Sequence, residues 1–558
     1  MVEEEAGEVR FRHALTRRAL LDALTSARTV YLHRAVADAI EQVADPRHDG
    51  QAEALAFHCE AAGQFDRALP HLLAAGARAQ GSLGFTEAVS FFERALALMD
   101  AMGREDGEQR FRVLRELGGM RMALSDLDGA VRDLDAAAVL ETPSFRPAPT
   151  QIAMVRRIAA LASIQGGRLE EAGKHLDDAL RALAESKDDP ERPAVLYLFA
   201  QLRWHEEKFA EAKELAARSL SEAEARGDRR GMSKAHEMLA LACHSLGTWQ
   251  EGHAHEQQRQ ALADGTLDVD QAFDVHLCLW EYHLYGEQGA TQIRAAVHQT
   301  LEQAQRMKAP RAVALCENFG GMLDFQGGRW KEAQAQLGQA VERFRGVGSA
   351  CGEALSLQRL AVLLTARGEL EAARKLLDEG LIVGSRAAMR SHCLTRIHAS
   401  LARNRLAAGD REGARASLEE GLAEAARHGH CATCSALLLP EAVRVALAWG
   451  NLAEAETFAT RLEDVARRFA SQAWTAMAQQ TRGRVNTARG ELEEAYDAFE
   501  GARVAFDAIG CPYEAARCVM AQSRLFVDAK GRPRDRGRAL AESAERVFAS
   551  LGATALEA

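Results

Sequence analysis

The sequence predicts an all-α superhelical solenoid of antiparallel helix pairs, and three observations carry that prediction. The chain has 558 residues, far more than one hydrophobic core supports. It is 47% apolar but only 6% aromatic, with 11 prolines and an abundance of the helix formers Ala, Leu, Glu and Arg. A short signature also recurs at near-constant spacing, the mark of a stacked array whose units bury their apolar faces against their neighbours.

The signature is a small or turn residue, any residue, a bulky apolar residue, two more, then Ala. It reads Gly167-Leu169-Ala172, Glu207-Phe209-Ala212, Gly247-Trp249-Gly252, Gly328-Trp330-Ala333 and Gly368-Leu370-Ala373. It continues as Gly409-Arg411-Ala414, Gly450-Leu452-Ala455 and Gly490-Leu492-Ala495. First positions step by 40 or 41 residues if one weak unit near Glu287 is counted. Upstream, Ser125-Leu127-Ala130 fits at a step of 42, and Gly63-Phe65-Ala68 and Phe85-Ala88 fit less regularly. The first residue lets a helix end and the chain reverse. The bulky residue wedges between two helices, and the Ala lets their axes approach.

Apolar side chains recur at three- and four-residue steps in Ala194–Trp204 and again in Phe209–Leu220, giving two helices per unit. Pro193 sits where a proline suits a helix start. A second Gly-bearing turn separates units at Gly227, Gly348, Gly429 and Gly510. The one strand-like run is Glu8–Phe11.

The Gly-x-aromatic-x-x-Ala core resembles the tetratricopeptide repeat, lengthened by about six residues over the usual 34. The long form is similar to the C-terminal sensor arrays of bacterial signal-transduction ATPases: the large ATP-binding LuxR-type regulators and the maltose-operon activator. Val9-Arg10-Phe11-Arg12-His13-Ala14-Leu15, followed by Leu32-His33-Arg34-Ala35, resembles the junction where a winged-helix segment hands over to the repeats. The resemblance implies a winged-helix-like remnant and connecting helices over 1–44 and a repeat array with capping helices over 45–558. No G-x-x-x-x-G-K-[ST] loop occurs in the sequence. The sequence ends at Ala558, just past Phe548–Ala553, where the family's DNA-reading domain is expected to begin. The expectation is therefore a sensor arm without its ATPase or DNA-binding domain.

The net charge of −11 argues against a general nucleic-acid-binding surface. No run of about 18 uncharged apolar residues suggests a membrane span. The acidic start lacks a signal-peptide core, and ten scattered cysteines suit a reduced cytoplasm. His205-Glu206, His236-Glu237 and His255-Glu256 each lack the second His of a zinc-protease helix. His428, His430, Cys431 and Cys434 form H-x-H-C-x-x-C. This reads either as a metal or redox motif or as an inter-repeat turn with two small core thiols. The turn is the reading adopted, so no metal, cofactor or catalytic residue is assigned. The basic run Lys530, Arg532, Arg534, Arg536 and Arg538 reads as a solvated loop of the last unit rather than an anion site.

Counting back from each turn gives the positions that line the inner face in tetratricopeptide arrays. They are Tyr197, Gln201, Trp204, His205, Lys234, Glu237, His244, Asp274, Glu281, Tyr285, Asn318, Phe325 and Gln358. Aromatic area mixed with a few polar groups suits a ligand groove. Farther on, one inward register carries Arg403, Arg444, Arg484 and Arg524, which either clasp anions or pair with nearby Glu. The expectation is a non-catalytic binding scaffold for a protein, a peptide or a small effector, with self-association through its ends open. The alternative is the sensor of a LuxR-type transcriptional regulator.

Overall fold

A computed structural model describes residues 2–5, 8–11, 18–19, 22–43, 51–82, 84–103, 106–186, 188–246, 248–262, 290–387, 389–469, 471–527 and 534–554. Its packing divides the chain into two compact units, Met1–Ala148 and Pro149–Ala558. The division falls well past residue 44, so the earliest helix pairs group with the N-terminal segment.

The first unit opens on an antiparallel hairpin, Val2–Glu5 against Glu8–Phe11, with Val2 opposite Phe11. The expected strand therefore has a partner, the one departure from helix in the regular structure of the described residues. Helices Ser26–Val43, Ala52–Ala61, Phe65–Gly81, Phe85–Met102, Gly107–Ala123 and Leu127–Ala138 follow. Gly118 shows why close crossings need small residues. A Cβ there would run into the Leu134 side chain.

The second unit is a stack of helix pairs with the expected period. The first three pairs are Pro149–Gln165 with Leu169–Ala182, Arg192–His205 with Phe209–Arg226, and Arg229–Leu246 with Trp249–Leu262. Ala290–Arg306 follows, at the position of the fourth, weak unit. The fifth to seventh are Pro310–Gln326 with Trp330–Gly346, Ala350–Ala366 with Leu370–Gly384, and Arg390–Ala407 with Arg411–Arg427. The last three are Ala432–Ala448 with Leu452–Phe469, Gln472–Arg489 with Leu492–Ala508, and Pro512–Ser523 with Asp535–Leu551.

The signature explains this geometry. Its first residue has positive φ, from 63° to 82°, at Gly63, Ser125, Gly167, Glu207, Gly328, Gly368, Gly409, Gly450 and Gly490. At Gly167 the turn closes as a Schellman motif: Arg168 N–H bonds Ser163 O at 2.8 Å and Gly167 N–H bonds Ile164 O at 2.9 Å. Ser125 and Glu207 adopt the left-handed conformation without glycine's freedom, so the turn is imposed by the helices it joins. The signature alanines, Ala172, Ala212, Ala333, Ala373, Ala414, Ala455 and Ala495, are completely buried at the crossings.

The second unit also coils back on itself. Trp204 of the second pair stacks on His392 of the seventh, with ring centroids 5.8 Å apart. His244 of the third pair reaches Thr433 of the eighth, 189 residues on, at 3.4 Å. Trp330 of the fifth meets Tyr513 of the tenth at 5.2 Å. Thr554 N–H, just past the tenth pair, donates to Ala366 O of the sixth at 3.0 Å. Each contact joins one turn of the coil to the next, about five pairs later. Among the described residues, no helix is long and apolar enough to cross a membrane.

Candidate functional site

The inner-row residues divide into three groups. Asp274, Glu281 and Tyr285 lie outside the described residues. A second group is buried. Trp204 is 2% exposed, and its indole N–H donates to Ser245 Oγ of the next pair at 3.1 Å. Asn318 Nδ2 donates to Ser356 Oγ at 2.5 Å, and Gln358 Nε2 to Ser400 Oγ at 2.7 Å. These rungs tie neighbouring first helices together, and buried amides and indoles need such partners. Tyr197, Gln201, His205 and His244 are buried too, and neither amide atom of Gln201 has a hydrogen-bond partner among the described residues. Arg444 is buried and pairs with Glu441 at 3.3 Å.

The third group reaches solvent. Lys234 is half-buried, with its ammonium 5.7 Å from the centre of the Tyr197 ring. Glu237 and Phe325 are half-buried, and Phe325 packs on Trp330 at 5.4 Å. In the arginine register, Arg403 and Arg484 are half-buried and Arg524 is exposed. In the basic run near the end, Lys530 and Arg532 lie outside the described residues. Arg536 lies 4.4 Å over Phe526 and bonds Tyr496 Oη at 3.0 Å, so it packs as part of the last unit.

The H-x-H-C-x-x-C segment separates into pieces with different roles. Cys431 is the N-cap of helix Ala432–Ala448, and Cys434 lies three residues on, in its first turn. His428 Nδ1 accepts the Cys431 backbone N–H at 3.2 Å. Its Nε2 faces Thr395 Oγ1 at 3.1 Å, so both ring nitrogens serve the fold. Burial, then the adjacent His392 ring, pushes the His428 imidazole down to about 3. His430 is exposed, has φ +58° and faces Arg461 at 3.5 Å.

The imidazoles that meet the two thiols come from elsewhere. His392 Nδ1 is 3.5 Å from Cys434 Sγ, and His244 Nε2 is 3.6 Å from Cys431 Sγ. One ligand atom each from His392, Cys431 and Cys434 lies within 4.8 Å of the other two, and all three residues are buried. Arg396, 1% exposed, places Nε 3.4 Å from Cys434 Sγ and Nη2 3.3 Å from Thr433 Oγ1. The Cys431 thiol sits well below its ordinary range, first through its hydrogen bond with Cys434 and then through the His244 and His392 imidazoles. Sequence spacing reveals the cysteine pair. It hides His392 and His244, because neither is local to the motif.

A second thiol–carboxylate–imidazole group, Cys243, Glu251 and His255, is of a different kind. Glu251 is exposed and holds Lys213 at 2.6 Å, and burial raises the Cys243 thiol.

No family model matches the chain, and no curated protein matches it. Among solved structures, the chain is similar to the APC/C hetero-tetramer Cut9–Hcn1 at 12% identity, covering 86% of each chain, with a TM-score of 0.43. It is similar to a Rap protein complexed with competence and sporulation factor at 13% identity, covering 72% of this chain and 98% of that one, TM-score 0.35. It is also similar to the human IFIT1 dimer with m7Gppp-AAAA at 13% identity, covering 77% and 95%, TM-score 0.37. The fold itself is a predominantly helical, tetratricopeptide-like repeat array.

Proposed function

We propose that the chain is a non-catalytic binding scaffold that takes an acidic segment of a protein or peptide partner along its later pairs. One observation carries this reading: in a register shared by successive pairs, Arg403, Arg484 and Arg524 reach solvent while Arg444 between them is buried. Guanidinium forks at repeat spacing suit carboxylates spread along an extended chain. A small effector, self-association through the ends and a cytoplasmic location belong to the same proposal. The test is fluorescence anisotropy with a panel of acidic peptides. Wild type retains at least one member, and the triple variant Arg403→Glu, Arg484→Glu, Arg524→Glu loses it while keeping its helical melt. Equal binding by the folded variant, or no member bound by wild type, defeats the proposal.

A second reading, the sensor arm of a LuxR-type ATP-dependent regulator, draws support from the hairpin Val2–Glu5 and Glu8–Phe11 ahead of helix Ser26–Val43. A wing-like hairpin and a connecting helix are what the resemblance at Phe11-x-His13-Ala14-Leu15 implies. An in-frame phosphate-loop coding sequence upstream of Met1 supports it, and a promoter in that place counts against it.

A further inference from the structure

We propose that Cys431, Cys434 and His392 form a site for a borderline-soft divalent cation of the zinc class, with His244 as its fourth ligand from the preceding turn of the coil. The donor set is two thiols and two imidazoles, one of the recurrent ligand sets of tetrahedral structural zinc. The spacing fits as well. With Zn–S near 2.3 Å and Zn–N near 2.05 Å, a tetrahedron has sulfur–nitrogen edges of about 3.5 Å. Two of its four such edges measure 3.5 Å, for Cys434 Sγ to His392 Nδ1, and 3.6 Å, for Cys431 Sγ to His244 Nε2. His244 is the outlying member, since only the other three ligand atoms lie within 4.8 Å of one another. The cation draws it inward.

The surroundings suit thiolates. Cys431 caps helix Ala432–Ala448 and Cys434 lies in its first turn, where the helix N-terminus favours negative charge. The Arg396 guanidinium reaches Cys434 Sγ at 3.4 Å, the kind of N–H···S contact that supports a metal-bound thiolate. Binding releases the two thiol protons to solvent. Two thiolates then balance the dication, and both imidazoles bind neutral. His428 orients the site from behind by holding the Cys431 N–H, and stacks on His392 with centroids 4.3 Å apart.

The position gives the site its consequence. His244 belongs to the third pair, His392 to the seventh, and Cys431 and Cys434 to the eighth. A cation held by all four clasps one turn of the coil to the next and fixes its curvature, whatever the inner row binds.

The experiment adds Co²⁺ to the reduced, metal-stripped full chain. The expected result is one ion per chain, with thiolate-to-cobalt charge-transfer absorption and the strong d–d bands of a tetrahedral site. Cys431→Ser with Cys434→Ser abolishes both. His244→Ala keeps the thiolate band but weakens affinity at least about tenfold, and His430→Ala changes nothing. Because the double variant can unfold, a second measurement uses wild type alone. Zn²⁺ shields Cys431 and Cys434, but not Cys351 or Cys393, from alkylation, and slows amide exchange at 431–435 and 244–246. The proposal is overturned if the folded, reduced chain shows no thiolate–cobalt band. It is equally overturned if the band survives in the double variant, or if Zn²⁺ shields no thiol because Cys431 and Cys434 form a disulfide.

Discussion

The early and late stretches of the second unit use the same repeat yet present opposite inner rows. In the second and third pairs, Gln201, Trp204, His205 and His244 are buried, and Trp204 and His244 touch the seventh and eighth pairs. In the seventh, ninth and tenth pairs, the arginine register reaches solvent. A position that faces inward in one repeat is therefore not thereby open to a ligand. Whether it is open depends on what the coil brings opposite it one turn later. The buried members of the early row are indole, amide, imidazole and phenol, while its charged members Lys234 and Glu237 stay half-buried, as Arg403 and Arg484 do in the late row. This fits the high cost of burying an unpaired charge.

The largest effect is expected where the turns meet. Trp204→Ala removes a buried indole, its stacking on His392 and its hydrogen bond to Ser245. Truncating a buried Trp costs about 3–5 kcal/mol, cavity included. Arrays can unfold in segments, so hydrogen exchange is the better readout. Protection should fall around residue 204 and also around 392, far away in sequence. Loss confined to the second and third pairs would mean that the turns do not support each other.

A smaller effect separates the two stretches by pH. His236 and His255 sit with Nδ1 atoms 3.0 Å apart, and burial holds both imidazoles below their ordinary range. Below the unfolded value near 6.5 the unfolded chain takes up protons that the folded chain refuses. Stability contributed by the pair is thus present above that pH and is lost as pH falls. The urea midpoint should drop between pH 7.5 and pH 5, and His236→Gln should reduce the drop. An unchanged drop in the variant would show that these rings are charged or irrelevant in the folded chain.

Much of the fold was legible because it is local. The turn inside most pairs, the start of the second helix and the crossing alanine follow from six residues at a near-constant spacing, and even Ser125 and Glu207 obey the pattern against their own preferences. The thiol–imidazole cluster was half legible. Cys431 and Cys434 are neighbours on one helix turn, whereas His392 lies one pair back and His244 one coil turn back. The adjacent His428, which looked like a ligand by proximity, is engaged as a backbone cap. The burial of Trp204 was hidden for the same reason as His244: its partner is 188 positions away, as 392 less 204 shows. No periodicity within a repeat encodes such a contact.

The smallest expected effect lies in the late row, and there a near-zero result carries the information. Arg524 is exposed at the end of helix Pro512–Ser523, so Arg524→Ala should change stability by no more than about 0.5 kcal/mol. Arg444 occupies the equivalent register two pairs earlier, is buried and neutralises Glu441, itself 8% exposed. Arg444→Ala leaves that carboxylate buried without its partner, and breaking buried pairs in this way costs about 3 kcal/mol or more. Urea titration of the two variants side by side measures the difference. A ratio near one would put both arginines in the same environment and erase the distinction between a closed and an open row. A large ratio leaves Arg524 outside the scaffold's own stability, so that any loss of binding on its replacement reports the partner and not the fold.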